Sequence, residues 1–80
     1  FNPSTLIRFA LAEPAQVDIT IFDIGGRRVV QLLAEPRAPG SHAVLWDGRD
    51  EEGRPAASGV YFCSLTAGRF EARRKLVLLR

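Results

Sequence analysis

Alternation with a period of two residues, cut repeatedly by Gly, Pro and Asp clusters, constrains this chain more than any other feature. That period sends successive side chains to opposite faces of a strand. Thr5 to Leu11 sets Ile7, Phe9 and Leu11 on one face and Arg8 and Ala10 on the other, until Pro14 interrupts. Val17, Ile19 and Ile21 alternate with Asp18 and Thr20, the pattern of a half-buried strand. Asp23-Ile24-Gly25-Gly26-Arg27 reads as a tight hairpin turn, because glycine adopts positive φ at little cost. Arg28 to Leu33 is a third strand with less regular patterning. Glu35 to Gly40 reads as a loop, since Pro36 and Pro39 cannot both donate to a ladder. His42, Val44 and Trp46 share one face of a fourth strand. Asp47 to Ser58 is polar and turn-rich, around Gly48, Gly53 and Pro55. Val60 to Thr66 is a fifth strand. Ala67-Gly68, expected as a type I turn with Gly68 in a bulge, leads into the last strand, Phe70 to Leu79.

No helical periodicity persists for ten residues. Short strands separated by frequent turn signals predict an all-β, antiparallel β-sandwich of six or seven strands. The 80 residues have room for one domain, 1–80. The core is expected to hold Ile7, Phe9, Leu11, Val17, Ile19, Ile21, Val44, Trp46, Tyr61 and Leu65. No internal repeat stands out. The chain contains no Met and opens on Phe1, as expected of a module excised from a longer protein.

Charge and cysteine content exclude several function classes. Eleven basic and nine acidic residues give a net charge of +2. The bases are scattered, apart from Arg73-Arg74-Lys75, and form no dense stripe of the kind that binds nucleic acid. No segment approaches the ~18 apolar residues of a membrane span. Cys63 is the sole cysteine, so neither an internal disulfide nor a cysteine metal cluster can form. Its alternation with Tyr61 and Leu65 predicts a buried, inert thiol.

The candidate chemical sites reduce to structural readings. Asp47, Asp50, Glu51 and Glu52 form an acidic loop whose spacing departs from the EF-hand pattern. Asp47 and Asp50 are expected to bond backbone N–H groups in turns, with Glu51 and Glu52 solvated. His42 is the only histidine, and its neighbour Ser41 points to the opposite face of the strand, so the two make no catalytic pair. Trp46 and Tyr61 could stack on a sugar only if exposed, and Trp46 shares its face with Val44, so a carbohydrate site is disfavoured. Arg73-Arg74-Lys75 reads as a charged guard on an exposed strand edge, a role that can coexist with a second one in partner contact. No acid–base pair, metal set or activated nucleophile is visible, so no enzyme activity and no cofactor are expected.

Taken in order along nearly the whole chain, several motifs resemble the C-terminal modules of larger secreted bacterial proteins, and imply that residues 1–80 are the C-terminal domain of one. They are Phe1-Asn2-Pro3-Ser4-Thr5 with Ile7-Arg8-Phe9, Asp23-Ile24-Gly25-Gly26-Arg27, Pro39-Gly40-Ser41-His42, Trp46-Asp47-Gly48-Arg49-Asp50, Ser58-Gly59-Val60-Tyr61-Phe62 and Lys75-Leu76-Val77-Leu78-Leu79. Two overlapping families share this pattern: the C-terminal sorting domain of the type IX secretion pathway, and the immunoglobulin-like domain of the flagellar hook-capping protein. Either resemblance implies an immunoglobulin-like sandwich. The first implies sorting, secretion or surface anchoring of a larger protein, exported through the periplasm to the cell surface or beyond. Its partners would be export machinery and the upstream domain of the same chain. The contact would run through Gly59, Tyr61, Arg73, Lys75, Leu76, Val77, Leu78 and Leu79. The alternatives are a structural assembly module of hook-cap type, or an accessory domain that stabilises or positions a neighbouring enzyme.

Overall fold

The strand that organises the molecule is the one with the cleanest alternation. In the computed structural model, which describes residues 3–80, Ala15–Asp23 (β2) lies inside a four-stranded antiparallel sheet. Val17, Ile19 and Ile21 are each fully buried, while Asp18 and Thr20 turn to the other face. Arg28–Arg37 (β3) pairs on one side of β2 and Gly59–Ala67 (β5) on the other, and Phe70–Leu78 (β6) completes the sheet in the order β3-β2-β5-β6. Among the described residues, a second sheet holds Thr5–Leu11 (β1) and Gly40–Trp46 (β4), paired antiparallel from Thr5↔Trp46 to Leu11↔Gly40. Phe1 and Asn2, which open the first of the family motifs, lie outside the described residues.

The two sheets close on a core of Ile7, Val17, Ile19, Ile21, Leu33, Trp46, Tyr61, Cys63, Leu65, Ala67 and Leu78. Seven of the ten residues expected there are buried; Phe9, Leu11 and Val44 pack against the core while half-buried. Leu78 and Leu33 join it from strands whose phase was ambiguous in the sequence.

Two local expectations are corrected. Glu35 to Arg37 does not loop out: β3 runs through Pro36, which pairs with Gln16. Proline is tolerated because β3 is an edge strand, and the N–H it lacks is not required by a neighbour on its outer side. The β5–β6 connection carries no bulge, since Ala67 pairs directly with Phe70 across a two-residue loop. Gly68 supplies positive φ (60°) at the first loop position, the pattern of a type II′ hairpin. The irregular patterning of β3 also has a cause. Register shifts at Ile19/Thr20 and Ile21/Phe22 bulge the strand, so Val29, Val30, Leu32 and Leu33 all reach the core or its margin.

Candidate functional site

At one end of the sandwich, two loops are built to the same plan. Asp23-Ile24-Gly25-Gly26-Arg27 connects β2 to β3, and Asp50-Glu51-Glu52-Gly53-Arg54 lies between β4 and β5. In the first, Asp23 Oδ1 accepts from the N–H groups of Gly25 and Arg27, both at 2.9 Å. In the second, Asp50 Oδ1 accepts from Glu52 N–H at 3.0 Å and Arg54 N–H at 2.9 Å. Each aspartate also accepts on its carbonyl from the glycine three residues on, and donates its N–H to the carbonyl of the arginine. Gly26 and Gly53 take positive φ, 86° and 79°. The carboxylates of Asp23 and Asp50 are held below their ordinary range, chiefly by the arginine backbone N–H in each loop. The Asp-x-x-Gly-Arg spacing is the signal of this repeat, and the absence of a repeat expected above is corrected to that extent.

Glu51 ties the two loops together. Its Oε1 accepts from Arg28 Nε at 3.0 Å and from the Gln31 backbone N–H at 3.3 Å, and its own N–H donates to the Val29 carbonyl. The Arg28 guanidinium lowers the Glu51 pKa. Glu51 is thus held, not freely solvated as expected, because the fold brings β3 beneath the 47–58 loop. Asp47 and Asp50 bond backbone N–H groups as expected, Asp47 to Arg49 at 3.1 Å. Among the described residues, no group of three or more His, Cys, Asp or Glu side chains could hold a metal ion.

The core beneath this end is fastened by its two polar aromatics. Trp46 is fully buried and its indole N–H donates to the Arg49 carbonyl at 3.0 Å. Tyr61 meets it edge-to-face with ring centroids 5.3 Å apart, and the Tyr61 hydroxyl donates to the Ala57 carbonyl at 2.6 Å. That bond to backbone four residues upstream resembles the tyrosine corner of immunoglobulin sandwiches. Arg80 closes the loop from outside, donating to the carbonyls of Ala56 and Gly48, while its backbone N–H donates to Ser58 Oγ. Elsewhere, His42 stacks on Phe9 at 5.2 Å and donates to the Ala38 carbonyl at 2.7 Å, a structural role.

The residues tied above to a partner contact do not form one surface. Tyr61 and Leu78 are buried, and Gly59 and Leu76 are half-buried. Arg73, Lys75, Val77 and Leu79 are exposed and alternate along the outer face of the last strand and its end. Arg74 lies on the inner face of β6, where it is exposed and pairs in register with Cys63. Cys63 itself is buried, and burial raises its pKa above the ordinary thiol value against a smaller lowering by Arg74.

One feature of the surface was not anticipated from the sequence. On the flank where β1 and β6 end their sheets, a slot of about 120 Å³ opens between them. Its walls include Phe9 and Leu11 of β1 and Phe70, Ala72 and Arg74 of β6, and Cys63 and Leu65 form its floor. Phe70 is 61% exposed at the mouth. Among the described residues, no helix is long and apolar enough to cross a membrane.

Comparison with known proteins places this arrangement. The family model described as "FlgD Ig-like domain" matches residues 2–69. The crystal structure of FlgD from Xanthomonas campestris, described as giving insights into the hook capping essential for flagellar assembly, superposes with a TM-score of 0.71. It is 30% identical and covers 94% of this chain, whereas this chain spans 55% of that one. No curated protein sequence matches.

Proposed function

Because this chain belongs to the FlgD Ig-like domain family, we propose that it is a structural, non-catalytic assembly module of flagellar hook-cap type. The observation that carries the reading is the match of nearly the whole sandwich, in sequence and in shape, to a protein tied to hook capping. Sorting through the type IX pathway, expected from the same motifs, receives no support from these matches, which favour the alternative weighed beside it. An assembly module works by protein–protein contact, and its rigid end suits that work. Trp46, Tyr61, the paired Asp-x-x-Gly-Arg loops and Arg80 lock the loops to the core, so little conformational entropy remains to be lost on docking. The reading places the module in an exported assembly, outside the cytoplasmic membrane.

The two readings separate in one experiment. The chain is fused to the C-terminus of a passenger protein in a bacterium that secretes by the type IX route. Under the assembly reading, the passenger stays inside the cell. Display of the passenger at the cell surface, dependent on this chain, would replace assembly with sorting.

A further inference from the structure

The two borders of the sandwich are unequal. On one, Pro36 removes a backbone donor from the β3 edge, and the chain passes directly from β3 across to β4. On the other, β6 ends its sheet among the described residues, with no proline anywhere in Phe70–Leu78, and the slot, apolar but for Arg74, opens beside it. An edge strand without such a block is a template for pairing with another chain.

We propose that β6, between Phe70 and Lys75, accepts an added strand from another protein. The strand is an extended segment with apolar side chains at alternate positions and carboxylates between them. The pattern follows from the pleat. A strand laid along β6 continues both faces of the sheet, so every second side chain meets the slot beside Phe70 and Ala72, with Arg74 at its far end. The intervening side chains fall beside Arg73 and Lys75 on the outer face, within cross-strand reach, where opposite charge is favoured.

A second copy of this chain fits less well than an acidic strand. β6 carries three cations, Arg73, Arg74 and Lys75, against the single carboxylate of Glu71. Antiparallel self-pairing centred on Arg74 sets Arg73 against Lys75 twice, and centring on Arg73 sets that arginine against itself while matching Glu71 with Lys75 twice. Centring on Ala72 matches Glu71 with Arg73 twice but sets Arg69 against Lys75 twice. Each of these registers sets some like charges directly opposite, which is destabilising, whereas carboxylates placed opposite Arg73 and Lys75 meet cations alone, so the edge favours an acidic partner over a second copy.

The proposal rests on the assembly reading and names the chemistry of its partner. The test is an NMR titration of the labelled chain with a capped peptide of alternating Val and Glu. Amide shifts are expected along residues 70–75 and at Phe9 and Leu11. R73E/K75E should weaken binding about tenfold, the effect of two reversed surface pairs, and should turn the preference to a Val–Lys peptide. If that variant fails to fold, R73Q/K75Q makes the same comparison. A72F, which narrows the slot and keeps the charges, should also reduce binding. No shifts at millimolar peptide, shifts centred elsewhere, or equal binding by the charge-altered variant would overturn the proposal. Each of those results leaves hook-cap assembly standing. A module that binds the peptide yet fails to build hooks would instead remove the assembly reading and keep the strand site.

Discussion

Gly48 is the position where a single methyl group should do most damage. It has positive φ (75°), and a Cβ placed there would lie 2.8 Å from the Pro3 carbonyl oxygen, 2.8 Å from Arg80 Nη2 and 3.5 Å from Leu78 Cδ1. The left-handed conformation costs a non-glycine residue about 1–2 kcal/mol. Crowding against a backbone oxygen and a buried leucine adds roughly 1–3 kcal/mol, because the surroundings must shift. Gly48→Ala is therefore expected to lose about 2–5 kcal/mol, a large share of the ~5–15 kcal/mol available to a domain. Gly26→Ala is the control, with φ of 86° and nothing within 4 Å of the added Cβ. It should lose only the conformational part, about 1–2 kcal/mol. Urea unfolding of both variants measures the difference. At this size, each kcal/mol shifts the melting temperature by roughly 4–8 °C, so the contrast is also visible in a thermal melt. Equal losses for the two variants would refute the close packing of the N-terminal segment and Arg80 over Gly48.

Further outcomes follow from the same structure. Tyr61→Phe removes the hydroxyl bond to the Ala57 carbonyl and should cost about 1–2 kcal/mol in urea unfolding with the ring packing retained. Asp23 and Asp50 have pKa values below their ordinary 3.8. Their contribution is therefore complete above that value and is lost as pH falls through the lowered pKa, so melting temperature should drop on acidification. An Asp23→Asn, Asp50→Asn double variant should show a shallower drop over the same range. Cys63 should react with a thiol reagent only as fast as the domain opens, since burial raises its pKa and hides it, and labelling in native buffer at the unfolded-state rate would contradict this.

The strands were legible where one face is buried and the other wet. Val17, Ile19 and Ile21 have that environment, and their period-two pattern reports it without reference to any other strand. β3 was harder, because its two bulges break the alternation and its Pro36 is permitted only by an edge position that depends on the order of strands. The Asp-x-x-Gly-Arg loops were visible as turns, and their common plan was present in the spacing. What the sequence could not show was that Glu51 of one would reach Arg28 beside the other. The basic run on β6 was read as an edge guard, and the strand does lie at an edge. The slot beside it was invisible for a different reason. It is made by the mismatch between a two-stranded and a four-stranded sheet, a property of pairing between residues far apart in the chain.

Under the proposed assembly reading, this chain does the work of a hook-cap immunoglobulin-like domain. The most direct measurement replaces that domain in the Xanthomonas campestris FlgD with this chain and counts completed hooks by electron microscopy of purified basal structures. Hooks are expected in numbers well above those of a strain lacking FlgD, given a backbone that superposes over nearly the whole module. A chimera that is folded, expressed and exported, yet leaves hooks as rare as in the strain lacking FlgD, would contradict it.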